Sequence, residues 1–370
     1  MIAKLVGLIF LLALALPATA ARHSSEAVLS SAPTEIYRST GQPNRVAASM
    51  VAKQQCEQAK GSRVGYCEII SMDGELIGRA SELKPKSLGH PLFLWRYTRG
   101  RATVYLAGTV HVLKEGFFPL PRQYEEAFQA SNKLVVEAAI EKMEPQQLQD
   151  MLLGYAQLTE GSLREILPAQ TYARLDRHAQ NYGLPLAQMQ GFNPAFVSQQ
   201  LSVTAISAMG YDPSLGIEAH FSARTKPENI LELESVEAQL RLLLGQPIDV
   251  QTVILNDTVD EFDNIAEQTD AMLAAWATGD DDAIADLIRE QSGDSAVAQN
   301  FLYALLDERN TRMAERIAGM LKGSDSYFVL VGSAHLAGKQ SVITELRRLG
   351  FEGQRISSSD ATIDGQPSSQ

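Results

Sequence analysis

The sequence predicts an α/β (α+β) protein. Its expected centre is a mixed sheet built from two strand–Gly-x-x-His–helix–strand halves, with a large helical insert between them. Two stretches carry this reading. Val104-Tyr105-Leu106-Ala107-Gly108-Thr109-Val110-His111 is echoed by Phe328-Val329-Leu330-Val331-Gly332-Ser333-Ala334-His335. Each is a run of apolar residues ended by Gly, the pattern of a strand covered on both faces. The Gly permits a turn or the close approach of another group. Each His then falls at the C-terminal lip of its strand, where open α/β sheets gather their functional groups. One such motif would carry little. Two in matching contexts imply two imidazoles brought to one place.

The elements follow in order. Lys4, the apolar run Leu5 to Leu16, Pro17 and Ala18-Thr19-Ala20 form an export signal over 1–20, with cleavage expected after Ala20. Residues 21–90 are a lead-in. Within it, 21–45 is polar and Ser-rich and reads as loosely ordered, 46–62 has a helical pattern, and 63–90 has no assigned structure. Cys56 and Cys67 are the two cysteines of the chain. In an oxidising compartment they are expected to pair as a disulfide. A metal site made of these two alone lacks its remaining ligands.

The main domain is expected over 91–357. Leu92–Tyr97 and Ala102–Ala107 read as strands, with Thr98-Arg99-Gly100-Arg101 as the hairpin connection. Pro121 suits the first turn of a helix through Tyr124, Ala127 and Phe128, and Leu134-Val135-Val136-Glu137-Ala138 is the next buried strand. Together they make a crossover unit, with the two strands expected to be neighbours or nearly so. The insert, 145–228, is helical: Leu148, Met151, Leu152 and Tyr155 keep helical spacing, Ser162 and Glu165 form a capping box, and Asn193-Pro194 opens a further helix. Ile230–Glu234 is a strand. Helices are expected over 235–244, 248–277, 280–291, 298–322 and 338–348, the last stopped by Gly350. Arg355-Ile356-Ser357 is a final strand, and 358–370 a polar, disordered tail.

The chain has 370 residues and a formal net charge of −12, with a pI near 5.1. This argues against a nucleic-acid partner, whose footprint is basic, and against anionic membrane surfaces. No apolar run after the signal approaches the roughly 18–20 residues of a membrane helix. The expectation is a mature chain without a membrane anchor, periplasmic or secreted.

His111 and His335 lead the candidate functional residues, since neighbouring neutral imidazoles suit a divalent metal or an acid/base pair. Glu137 interrupts an apolar strand, and a buried carboxylate needs a cation, a metal or an Arg. Glu234 ends its strand, with Glu232 on the same face by alternation. Arg309 either pairs ionically at the surface or orients a carboxylate or oxyanion. His23, His90 and His178 read as surface positions, and His220 is unassigned. The acidic stretch Asp257, Asp260, Glu261 and Asp263 reads as a solvated helix face. The Gly-x-Ser-x-Gly elbow, the phosphate-binding Gly-rich loop and the His-Glu-x-x-His helix are all absent.

Taken in order, Leu106-Ala107-Gly108-Thr109-Val110-His111, Leu134-Val135-Val136-Glu137, Gly216-Ile217-Glu218-Ala219-His220-Phe221, Leu233-Glu234-Ser235-Val236-Glu237-Ala238-Gln239, Glu308-Arg309-Asn310 and Val331-Gly332-Ser333-Ala334-His335 resemble the TraB/GumN family of the Tiki-like superfamily. The resemblance runs from about Leu92 to Ile356. It implies a Gly-x-x-His pair plus a Glu at the centre of a hydrolase-like site and, in the Tiki branch, a metal-dependent protease. Carried over, those positions are His111, His335 and Glu137, with Glu234 and Arg309 as supporters. Family members commonly have Asp in the Gly-Ile-Asp position; this chain has Glu218, which is left out of the ligand set. The Tiki and conjugation-related branches are membrane-anchored, unlike the expectation here. Related branches include a haem-associated lipoprotein and metal-independent antibiotic esterases.

The resulting expectation is an exported metal-dependent hydrolase, a peptidase, acting on a peptide or small-molecule substrate. His111, His335 and Glu137 would hold Mn²⁺, Co²⁺ or Zn²⁺ with an open position for water. Glu137 is either ligand or general base. The alternatives are a metal-free esterase-type hydrolase with one His as general base, and a protein binding haem or another small ligand through the His pair.

Overall fold

Two sheets carry the chain, and the larger holds both Gly-x-x-His motifs. The computed structural model describes residues 22–291 and 295–363. The expected export signal and the end of the expected tail lie outside the described residues.

The smaller sheet is built from the lead-in. β1 (His23–Leu29) and β2 (Ala32–Gln42) form a hairpin, α1 (Arg45–Lys60) follows, then β3 (Cys67–Met72), β4 (Glu75–Leu76) and the short helix α2 (Ala80–Leu83). The strand order is β2-β1-β3-β4, antiparallel throughout. The expected loose order over 21–45 is therefore corrected. The strand signal was hidden because β1 buries polar residues among its apolar ones. The Ser25 hydroxyl donates to the Ser71 carbonyl at 2.9 Å. His23, expected at the surface, is buried with its Nδ1 2.8 Å from Asp73. α1 turns Ala48, Ser49, Ala52 and Cys56 inward. The expected disulfide is present: Cys56 and Cys67, with Cα atoms 5.9 Å apart, staple α1 to β3.

The larger sheet begins with the predicted hairpin, β5 (Pro91–Arg99) and β6 (Ala102–Thr109), turning at Gly100 with φ +61°. Then come α3 (Arg122–Gln129) and β7 (Lys133–Val136). The helical block follows as α4 (Pro145–Ala156), α5 (Leu163–Ile166), α6 (Ala169–Tyr182), α7 (Pro194–Ala208) and α8 (Ile217–Ser222). Asn193 opens its helix as read, its side chain accepting from the Phe196 N–H at 2.9 Å to cap α7; Ser162 caps α5 by accepting from the Glu165 N–H, without the reciprocal Glu165 bond of the expected capping box. His178 on α6, expected at the surface, is buried and packs against Phe262 with ring centres 4.8 Å apart.

β8 (Ile230–Glu232) leads to α9 (Val236–Leu244), α10 (Ile248–Asp260), α11 (Ile265–Thr278), α12 (Asp281–Gln291), α13 (Ala296–Leu305) and α14 (Asp307–Met320). Two helices expected to be continuous are each divided. The chain bends between α10 and α11 so that Phe262 can insert against His178 and Tyr182. It leaves helical geometry at Leu306, whose φ and ψ are −118° and −67°, between α13 and α14. β9 (Ser326–Gly332), α15 (Val342–Arg348) and β10 (Gln354–Ser357) close the fold. α15 starts later than expected because Gly338 turns the chain with φ +79° and Ser341 provides the cap. The expected tail is fixed at its start: Ser358 N–H donates to the His90 carbonyl at 2.9 Å, and Ile363 is buried.

The strand order of the larger sheet is β10-β5-β6-β9-β7-β8. β6, β9, β7 and β8 run parallel, and the antiparallel β5 and β10 extend one edge. Both strand–His–helix–strand halves are present, and β9 lies between the two strands of the first. The fold is the expected α/β class. Among the described residues no helix is long and apolar enough to cross a membrane.

Candidate active site

β6 and β9 are neighbours in parallel register, with Thr109 opposite Gly332. Both motifs therefore leave the sheet at one end, side by side. His111 follows β6 directly, and His335 sits in a 3-10 turn, Ser333–Leu336. His111 is 9% exposed and His335 is 0% exposed.

Each imidazole is held by its Nδ1. That of His111 lies 2.6 Å from a Glu218 carboxylate oxygen. A carboxylate only accepts, so the His111 Nδ1 carries the proton and Nε2 keeps a lone pair. The Nδ1 of His335 lies 2.6 Å from Asn310 Oδ1. Asn310 Nδ2 donates to the Gln340 carbonyl at 2.8 Å, which fixes the amide orientation. His335 therefore also has its proton on Nδ1 and its lone pair on Nε2. Burial pushes the His335 pKa down to about 3 against the pull of Glu137. Burial likewise pushes His111 down against the pull of Glu218. Both Nε2 atoms are buried without a hydrogen-bond partner.

Glu137 stands just past β7 and is 3% exposed. Because β9 separates β6 from β7, its carboxylate reaches the second motif: Oε1 accepts from Gly332 N–H at 2.6 Å and lies 3.8 Å from His335 Nε2. Oε2 accepts from Arg309 at 2.7 Å and from Gln239 at 3.0 Å. Burial alone would raise its pKa. Arg309 and the Gly332 N–H hold it well below the usual carboxylate range.

Arg309, on α14, is 1% exposed, so it is no surface pair. Its Nε donates to Glu234 at 2.8 Å, its Nη2 also bonds Glu234, and its Nη1 donates to the Leu305 carbonyl at 3.0 Å. Gln239 bridges Glu137 and Glu234. The guanidinium thus faces two carboxylates of the chain itself. Two anions around one cation leave the cluster net negative, a setting that favours a further positive charge.

The structure brings together His111, His335, Glu137, Glu234 and Arg309. It adds Glu218, Asn310 and Gln239, which the sequence reading did not assign. Glu218, 1% exposed on the short α8, had one available signal: an acid between the buried Ile217 and Phe221. Gly216 permits that approach, since a Cβ there would lie 2.5 Å from the His111 carbonyl oxygen. His220 lies outside the cluster, 3.0 Å from Glu125.

The donor set suits a divalent transition metal in part. Two buried imidazole lone pairs, each with its other nitrogen anchored on an oxygen acceptor, match the usual surroundings of metal-binding His. The 3.8 Å between Glu137 Oε1 and His335 Nε2 is within the span of two ligands that each lie about 2.0–2.2 Å from an ion. Among the described residues, however, no three His, Cys, Asp or Glu side chains stand gathered as a ready ligand cage.

Fold and cluster together define an α/β protein with paired Gly-x-x-His motifs at the ends of adjacent parallel strands. The chain belongs to the TraB/PrgY/gumN family, whose model matches residues 93–355. It is similar to Metalloprotease TIKI2 of Danio rerio, 24% identical over 70% of this chain and 60% of the relative. Metalloprotease TIKI1 of Danio rerio is 25% identical over 74% of this chain and 64% of the relative. TIKI2 of Xenopus tropicalis is 24% identical over 70% and 59%. The chain spans about 60% of the length of these relatives. No solved structure matches it.

Proposed function

We propose that this chain is an exported metal-dependent hydrolase acting on peptides, with His111 and His335 as metal ligands through Nε2 and Glu137 completing the donor set through Oε1. One observation carries the reading: two buried Nε2 lone pairs without a hydrogen-bond partner, on motifs that leave adjacent strands at one sheet end, each with its Nδ1 proton committed elsewhere. The names of the TIKI relatives support peptidase chemistry. The Cys56–Cys67 disulfide supports export, because such bonds persist in oxidising compartments. So does the sequence of residues 1–20.

A bound Mn²⁺, Co²⁺ or Zn²⁺ would supply Lewis-acid polarisation of a carbonyl and a more acidic bound water. The chain's residues have separate tasks. Glu218 and Asn310 hold the two tautomers and ring orientations. Arg309, with Gln239, holds Glu137 and Glu234 in place. Gly332 N–H fixes the Glu137 oxygen that faces His335. Of the readings the sequence leaves open for Arg309, a surface ion pair or the orienting of a carboxylate or oxyanion, its bonds to Glu137, Glu234 and Leu305 support the orienting of the chain's own carboxylates.

The test is elemental mass spectrometry of the purified protein beside His111→Ala and His335→Ala, with hydrolysis of a peptide library as second readout. Near one equivalent of metal, lost in both variants together with hydrolysis, is expected. Hydrolysis that persists through chelation would overturn the metal reading. It would favour a metal-free hydrolase with an imidazole as general base, the reading to which the Glu137–Arg309 pairing lends weight.

A further inference from the structure

We infer that the N-terminal module, residues 22–84, is a working part of the candidate site and that Lys114 is the positioning residue joining it to His111. The inference rests on His111 acting there, as proposed above. Its test reads the imidazole itself, independently of metal or turnover.

From the end of β6 through the residues after His111 the chain leaves the sheet, so backbone groups there need partners from elsewhere. Three walls supply them. From α11, the Trp276 indole N–H donates to the Gly108 carbonyl at 2.9 Å. From the start of α8, Ile217 N–H donates to the Val110 carbonyl at 3.1 Å, and just before the helix Asp212 exchanges backbone bonds with Leu113 at 2.9 and 3.3 Å. The third wall is the N-terminal module. Lys84 Nζ donates to the Gly116 carbonyl at 2.9 Å. A Cβ on Gly116 would lie 2.3 Å from the Tyr66 hydroxyl, so the two segments touch with no room for a side chain.

Lys114 is where the walls meet. It is 2% exposed. Its Nζ donates to the Gly78 carbonyl at 2.5 Å and lies 4.5 Å from the centre of the Tyr211 ring. The Gly78 N–H donates to Asp270 of α11 at 2.6 Å, and the same carboxylate accepts the Tyr211 hydroxyl. One buried ammonium thus ties the module, α11 and the approach to α8 to a position three residues beyond His111. Burying an ammonium is costly, and an apolar side chain of similar length would fill the space without making these bonds. The module is itself stapled: Cys67 is bonded to Cys56, and its neighbour Glu68 accepts from Ala80 N–H at 3.1 Å. The family match starts at residue 93, so this wall comes from outside it.

The experiment is imidazole ¹⁵N–¹H NMR of the full chain, following the His111 Nδ1–H held by Glu218 and the His335 Nδ1–H held by Asn310. His335 hangs from a different strand and serves as internal control. In Lys114→Met, exchange of the His111 proton with water should quicken by about tenfold or more as its loop opens locally, with the His335 proton unchanged. Lys84→Met should act in the same direction more weakly, and Lys114→Arg should restore much of the protection. Unchanged His111 exchange in Lys114→Met overturns the inference, as does equal loss at both histidines. If Lys114→Met does not fold, unchanged His111 exchange in Lys84→Met overturns it as well.

Discussion

Asn310 and Glu218 hold the two imidazoles from behind, and each decides which ring nitrogen carries the proton. Asn310→Leu removes the acceptor of the His335 Nδ1–H and strands a buried donor, at a cost of about 1–3 kcal/mol. Losing such an anchor should also weaken metal binding by about 10–100-fold. Urea unfolding and a Co²⁺ titration measure the two effects, and unchanged affinity would deny Asn310 its orienting role. Glu218→Gln keeps an acceptor and should do less damage than Glu218→Leu in the same assays. Arg309→Met leaves the buried Glu137 and the half-buried Glu234 without their cation and should cost about 3–5 kcal/mol. Adding Glu137→Gln to it should recover part of that loss, since the two side chains are in contact. The His pair and Glu137 were legible because each breaks an apolar run at a strand end. Glu218 and Asn310 were not: they meet their imidazoles across 107 and 25 residues, and no local pattern records such a pairing.

Elements show the same division between local and distant information. Caps acted as read, because an Asn or Ser before a helix satisfies N–H groups two or three residues away. Asn193 exceeds that local task, since its Nδ2 also donates to the Tyr155 and Leu244 carbonyls at 2.7 and 3.0 Å. Asn193→Ala should therefore cost more than the typical cap loss of about 1 kcal/mol, measured as a shift in urea midpoint. The four strands of the small sheet were harder to see. β1 buries His23 and Ser25, and most of β2 is exposed, so neither gives clean alternation. The insertion of β9 between β6 and β7 was not readable at all, because strand order is set by long-range pairing. The disulfide was readable, from two cysteines 11 positions apart. Closing so short a loop restricts the unfolded chain by about 3 kcal/mol. The Cys56→Ser/Cys67→Ser variant should lose about that much in chemical denaturation, and a loss near zero would mean that α1 and β3 hold together without it.

For the whole molecule, two electrostatic effects oppose one another as pH falls. The net charge of −12 shrinks toward zero near the pI, which relieves self-repulsion. The buried imidazoles act the other way. His335 is neutral in the folded state down to about pH 3, whereas an unfolded His takes up a proton near pH 6.5. Burial shifts His111, His178 and His90 in the same direction. Below pH 6.5 the unfolded chain therefore binds more protons than the folded one, and stability must fall as pH falls. Ordinary carboxylates titrate at about pH 4, and the three that burial raises, Glu68, Asp257 and Asp307, oppose four lowered imidazoles, so the imidazole effect dominates between pH 6.5 and 5. Each fully uncoupled His contributes up to about 1.4 kcal/mol per pH unit. The loss from His335 should continue to about pH 3, joined below pH 4.5 by Glu137, whose folded pKa is also depressed. Urea midpoints of metal-free protein at pH 7, 6 and 5 should decline steadily. His335→Gln removes one titrating group and should decline less steeply over the same range. Parallel declines in the two proteins would mean that His335 takes up its proton at the same pH in the folded and the unfolded chain, so that burial does not hold it neutral.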